Sequence, residues 1–192
     1  MSQQELLRRV VQALSRADVE YMLTGSVASS LQGEPRSSHD IDLVVAIKPN
    51  AVSNLVQSFP PPRFYLNEER VTEAVARRDM FNLIDATTGN KVDFWLLTDE
   101  PFDRMRFSRR RFEEVMGMQI AVSAPEDTIL AKLRWGKLSG GSKKQFTDAL
   151  RVYEVQFETL DIAYLHDWAK RIRVESLLKE IEAEADTLGP DS

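Results

Sequence analysis

Asp40 and Asp42 stand two residues apart in Asp40-Ile41-Asp42-Leu43-Val44-Val45-Ala46-Ile47, the clearest strand pattern in the chain. Alternate residues of a strand point to one face, so both carboxylates project together, with Cα atoms ~7 Å apart, while Ile41 and Leu43 face the other way. Two like charges so placed repel each other. They fit either a solvent-facing pair near the start of an edge strand or one wall of a cation site. Asp93 lies between Val92 and Phe94 in a run too apolar to face water freely, and an acid there needs a partner or a cation. Three carboxylates brought onto neighbouring strands form the oxygen-rich site that Mg²⁺ or Mn²⁺ prefers, above all where substrate phosphates complete the shell.

A second feature is Thr24-Gly25-Ser26, between a β-rich run and an apolar segment that starts a short helix. Glycine lets a ligand approach the backbone, and the first turn of a helix presents N–H groups and a positive dipole end suited to phosphate. Glycine also punctuates strand ends everywhere, so the turn is informative only together with the acids. Composition narrows the chemistry further. With no cysteine and only His39 and His166 among 192 residues, thiolate catalysis, iron–sulfur clusters and Cys/His zinc sites are excluded. Twenty-five Lys and Arg against 30 Asp and Glu give a net charge of −5, so any attraction to nucleic acid must come from a local basic patch. No apolar stretch approaches the ~20 residues that span a bilayer, and no export signal opens the chain, which makes a cytoplasmic protein the expectation.

The elements that must position these residues follow from periodicity and turn chemistry. Ser2-Gln3-Gln4-Glu5 fits a capping box ahead of a helix over 3–16. A β-rich run over 19–24 ends at Gly25, and the strand from Asp40 ends at Pro49-Asn50, which starts a helix over 51–59. Pro60-Pro61-Pro62 breaks that helix, and Asn67 caps another over 68–78. Residues 80–85 and 91–97 flank Thr87-Thr88-Gly89-Asn90 as a hairpin, and 109–115 with 118–123 form a second strand pair around Met116-Gly117. Beyond Pro125 the pattern is helical, over 126–137, 143–157 and 161–187, the last broken near Val174. The expected fold is α+β: a mixed sheet with flanking helices over 1–124, then a helical C-terminal segment over 125–192.

Together these features resemble the nucleotidyltransferase superfamily with the DNA-polymerase-β-like core. That family shows a Gly-Ser or Gly-Gly turn, an apolar strand carrying Asp-x-Asp, and a third acid on a later strand. Here Gly25-Ser26 is followed by thirteen residues (27–39), then Asp40-Ile41-Asp42, and Val92-Asp93-Phe94 supplies the third acid. The stretch Arg36-Ser37-Ser38-His39-Asp40-Ile41-Asp42-Leu43 is similar to the form found in the branch of AbiEii-like abortive-infection toxins, and the thirteen-residue spacing fits that branch better than the shorter loop of the minimal antitoxins. Ala124-Pro125-Glu126-Asp127 through Lys132 resembles the segment that opens the family's C-terminal helices. Of the family's Lys/Asp element, Lys143-Lys144-Gln145-Phe146-Thr147-Asp148 keeps only part.

The resemblance implies a metal-dependent nucleotidyltransferase that moves an NMP from an NTP to an acceptor hydroxyl. In that reading Asp40, Asp42 and Asp93 hold Mg²⁺ or Mn²⁺, and Asp93 serves the acceptor side. Gly25, Ser26, Arg36, Ser38 and Lys132 meet the nucleotide. The acceptor is left open among RNA or tRNA, protein and a small molecule such as an antibiotic, and a toxin with a cognate antitoxin or operon partner is one form of the reading. Five arginines interleave with phenylalanines between Phe102 and Phe112. They fit either an RNA-binding patch, Arg104 to Arg111, or a surface whose phenylalanines turn into the core. Trp95 and Trp135 are read as packing residues and His39 as a loop neighbour of the acids. The alternative to an enzyme is a non-catalytic nucleotide- or partner-binding module with the same fold.

Overall fold

In a computed structural model, which describes residues 1–36, 40–115 and 117–185, the first helix is α1 (Gln3–Arg16). The expected capping box closes it: the Ser2 hydroxyl accepts from the Glu5 N–H at 3.1 Å and the Glu5 carboxylate from the Ser2 N–H at 2.7 Å. β1 (Glu20–Thr24), α2 (Gly25–Gln32) and β2 (Asp40–Ala46) follow. A 3₁₀ turn, Pro49–Ala51, leads into α3 (Val52–Gln57). A two-residue strand, β3 (Phe64–Tyr65), separates it from α4 (Glu68–Arg77), whose N-terminus the Asn67 side chain caps.

The hairpin of β4 (Met80–Asp85) and β5 (Lys91–Leu96) turns through Gly89 at φ +75°, with the Asp85 N–H donating to the Asn90 carbonyl at 2.9 Å. α5 (Pro101–Ser108) occupies the arginine- and phenylalanine-rich segment, and β6 (Arg111–Val115) pairs antiparallel with β7 (Met118–Val122). The rest is helical: α6 (Pro125–Leu138), α7 (Lys143–Gln156), α8 (Ile162–Arg171) and α9 (Glu175–Ala185). The break expected near Val174 is present, Arg173 taking φ +60° between α8 and α9. Among the described residues no helix is long and apolar enough to cross a membrane.

Two compact units emerge. One comprises Met1–Val27 with Ser38–Val122, the other Ala28–Ser37 with Ser123–Ser192. The first is built on a seven-stranded mixed sheet in the order β3-β4-β5-β2-β1-β7-β6. β2 runs parallel to β5 and antiparallel to β1, and β1 runs parallel to β7. One face of the central strands is wholly apolar: Ile41, Leu43, Val45, Val92, Phe94 and Leu96 are all buried, and Phe81 stacks on its register partner Phe94 with ring centroids 4.8 Å apart. That face fixes register, because a slip of one residue would turn the whole apolar set to the other side and carry the aspartates into the core.

The second unit is a set of four helices in which α6 packs on α7 and α8, and α9 on α7 and α8. The end of α2 is fastened into it. Gln32 donates through Nε2 to the Ser123 carbonyl at 2.6 Å, and Gln156 donates to the Gln32 carbonyl at 2.9 Å. Buried acids of α6 hold the neighbouring helix: Glu126 accepts from the Asp161 N–H at 3.0 Å, and Asp127 from the Tyr164 hydroxyl at 2.6 Å.

Candidate active site

The parallel register of β2 and β5 sets Asp42 beside Asp93 and Asp40 beside Lys91. The period of two puts these four side chains on one face, opposite the apolar one. At its other end this face is closed by a small apolar cluster of Met22, Val44 and Phe107 with Ala46, Trp95 and Leu97 against it. The carboxylates therefore sit at the open end of a half-covered sheet face, graded in exposure: the Asp40 side chain is 52% exposed and that of Asp93 only 11%.

Gly25 adjoins them. Its φ of +67° starts α2 in a conformation that L side chains rarely adopt, and a Cβ there would stand 2.6 Å from Asp42 Cγ and 2.7 Å from Asp42 Cβ. The residue is glycine for two reasons at once, the left-handed turn and the room that Asp42 takes. β1 contributes Thr24 as the register partner of Asp42, so the turn and the acid are locked to each other by the β1–β2 ladder. Trp95 adds a long hydrogen bond from Nε1 to Asp42 Oδ1 at 3.5 Å.

A residue that sequence reasoning passed over stands in the middle. Lys91 Nζ lies 2.9 Å from Asp93 Oδ2 and 3.8 Å from Asp40 Oδ1. Its hydrogen bond to Asp93, helped by the charges of Asp93, Asp40 and Asp42 against a smaller cost of burial, holds its ammonium above the usual lysine pKa. The signal that could have found it is the one that found the aspartates, since Lys91-x-Asp93 has the same strand spacing as Asp40-x-Asp42 and the same facing.

The fit of a divalent cation turns on the carboxylate oxygens. Asp93 Oδ1 is buried with no hydrogen-bond partner, although the residue's other oxygen is paired with Lys91. A buried carboxylate oxygen left unmatched costs free energy unless something answers it. Carboxylates of Asp40, Asp42 and Asp93 on one face are the hard donors that Mg²⁺ or Mn²⁺ takes, and in this respect the residues fit the ion. Among the described residues, however, no three acids or histidines are already drawn together tightly enough to hold one.

Ser38 and His39 lie outside the described residues. Arg36 and Lys132 are in the second unit, and both bind Asp148: Lys132 Nζ is 2.7 Å from Asp148 Oδ2, while Arg36 donates to both carboxylate oxygens at 2.8 and 2.6 Å. Burial pushes the Asp148 carboxyl up, but the hydrogen bonds and charges of Arg36 and Lys132 outweigh it and hold the group below the usual carboxylate range. Lys132 is 5% exposed, so Asp148 is what lets a lysine be buried there.

The arginine-rich segment shows neighbouring acids answering much of its charge. Phe102 and Phe107 enter the core, whereas Phe112 is 68% exposed. Arg104 pairs with Asp99, Arg106 with Asp103 at 3.0 Å and Arg110 with Glu20 at 3.3 Å, and the Arg110 guanidinium lies over the Phe107 ring. Trp95 packs as expected, and Trp135 is about half exposed.

No family model matches the chain, and no curated protein matches it by sequence. Solved structures do. The antibiotic-resistance factor ANT(2″)-Ia, in its crystal structure with adenylyl-2″-tobramycin, matches with a TM-score of 0.55 and 12% identity over 90% of this chain and 98% of that one. Its solution structure matches with a TM-score of 0.50 and 11% identity over 95% and 94%. An antigenic nucleotidyltransferase-like protein from Paracoccidioides brasiliensis is similar with a TM-score of 0.49 and 21% identity over 88% and 89%. The mixed α+β fold of this chain is thus nucleotidyltransferase-like.

Proposed function

We propose that the chain is a divalent-cation-dependent nucleotidyltransferase that transfers an NMP from an NTP to an acceptor hydroxyl. The observation that carries the proposal is Asp93, buried with one carboxylate oxygen unmatched on the same sheet face as its register partner Asp42, which in turn lies against the Gly25 turn. When bound, Mg²⁺ or Mn²⁺ would neutralise phosphate charge and lower the pKa of the acceptor hydroxyl. Asp40, Asp42 and Asp93 would hold it, and Asp93, the most enclosed of the three, would take the hydroxyl proton. Gly25 and Ser26, at the first turn of α2, supply backbone N–H groups and a hydroxyl to the phosphates.

Arg36 and Lys132 already share Asp148, so a phosphate role for either requires Asp148 to share it. The AbiEii-like motif around Asp40 supports a toxin with a cognate antitoxin as the biological setting. The adenylylated aminoglycoside held by ANT(2″)-Ia supports a small-molecule hydroxyl as one acceptor class beside RNA and protein.

The test is incubation of the purified protein with Mg²⁺, each α-³²P-labelled NTP in turn, and total RNA, cell extract or an aminoglycoside, against an Asp40→Ala/Asp42→Ala control. Label carried to one acceptor class by the wild type alone is the expected result. Nucleotide binding without transfer to any of them would favour the other reading, a non-catalytic nucleotide-binding module.

A further inference from the structure

We propose that Lys91 is the resident counter-ion of the carboxylate site, and that its ammonium weakens divalent-cation binding to the nucleotide-free protein and moves aside when the ion binds. The inference rests on the reading of Asp40, Asp42 and Asp93 as cation ligands, and adds to it a residue that sets how tightly the bare protein can hold the ion. Lys91 and the aspartates share one sheet face by register. Nζ sits against Asp93 Oδ2 at 2.9 Å and reaches towards Asp40 Oδ1 at 3.8 Å. Among the described residues it is the one cation paired with Asp93. An ion drawn to Asp93 Oδ1, the oxygen without a partner, would sit close to the ammonium held on the other oxygen of the same carboxylate, and two cations brought that close repel strongly.

The arrangement has a physical consequence for loading. Without Lys91 the clustered carboxylates would repel one another and attract any divalent ion. With it, one of the three negative charges is offset and a bare ion gains less. A nucleotide triphosphate brings enough negative charge to accommodate both cations, so tight occupancy is tied to nucleotide. Lys91 is one-third exposed and its four-carbon stem is flexible, so the ammonium can swing away without disturbing β5.

The test is Mn²⁺ binding to the nucleotide-free protein, read from the free-ion electron paramagnetic resonance signal, for the wild type, Lys91→Met, Lys91→Arg and Asp42→Asn. Lys91→Met should bind Mn²⁺ about tenfold or more tightly than the wild type, since a nearby positive charge is gone, and Lys91→Arg should stay weak. Equal affinity in the wild type and Lys91→Met, with Asp42→Asn abolishing both when combined, would leave the metal site standing and overturn the role of Lys91. Absence of Mn²⁺ binding in every variant, with or without ATP, would overturn the metal reading itself. A second measurement needs no variant. In the wild type, saturating Mn²⁺ should raise several-fold the rate at which an amine-reactive reagent labels Lys91, followed by mass spectrometry, and an unchanged or reduced rate would sink the displacement.

Discussion

Gly25 and Asp93 carry the most discriminating single-residue expectations. Gly25→Ala places a methyl group where Asp42 now lies and forces a left-handed φ on an L residue, a strain of about 1–3 kcal/mol. The variant should therefore lose transfer activity through displacement of Asp42, while circular dichroism shows a folded protein with a lowered melting temperature. Asp93→Asn is nearly isosteric and keeps a polar group beside Lys91. If Asp93 takes the acceptor proton, kcat should fall by about 10²–10⁴-fold, the usual contribution of a general base, with the melting temperature nearly unchanged. Near-normal turnover in that variant would remove Asp93 from the chemistry. Lys91 shows why a charge can be overlooked at this scale: a lone lysine in a strand reads as a solvated surface residue until the neighbouring strand is known.

Among the elements, α6 and α7 are joined by the most consequential polar contact, Lys132 to Asp148 at 2.7 Å with both side chains under 10% exposed. Removing one partner of a buried pair leaves the other charge uncompensated. Asp148→Ala should therefore cost about 3 kcal/mol in chemical denaturation, and Lys132→Met/Asp148→Leu should recover most of it. The same pair sets a pH dependence. The folded Asp148 carboxyl is held below its ordinary pKa, so its contribution is full above the unfolded value of about 4 and is lost as pH falls through the folded one. The stability gap between the wild type and Asp148→Ala should be constant from neutrality to about pH 5 and shrink below about pH 4. A gap that stays the same down to pH 3 would show that the Asp148 charge stabilises nothing.

At the level of the whole molecule, the chain does not divide at one point. α2 begins in the unit that holds the sheet and ends in the helical one, where Gln32 bonds to Ser123 and Gln156 and where a Cβ on Gly33 would press at 3.0 Å on the backbone of Arg151 and Val152. A fragment ending at residue 124 keeps every strand of the described residues yet strips residues 28–36 of the helices they pack on. Such a fragment should be poorly soluble or melt well below the full chain, as light scattering and circular dichroism would show. A fragment as stable as the whole chain would mean that residues 28–36 owe nothing to α7.

What could be read along the chain was local. The capping box at Ser2, the Asn67 cap, the alternation in Asp40–Ala46 and the glycine turn after Asp85 each depend on residues a few positions apart, and each is present as expected. The three aspartates and Gly25 were legible because strand period and turn chemistry fix facing without any partner. α5 was missed although Pro101 follows Glu100 at a helix start, because interleaved arginines and phenylalanines obscured the apolar face that Phe102 and Phe107 bury. The two residues of β3 carry too little pattern to read and form only against β4. Pairing across strands and helices decided the rest: that Lys91 stands opposite Asp40, and that Asp148 binds Arg36 and Lys132 together. Facing is set by the period of one segment, but register and charge pairing are set by which distant segments share a core, and that information resides in the packed structure.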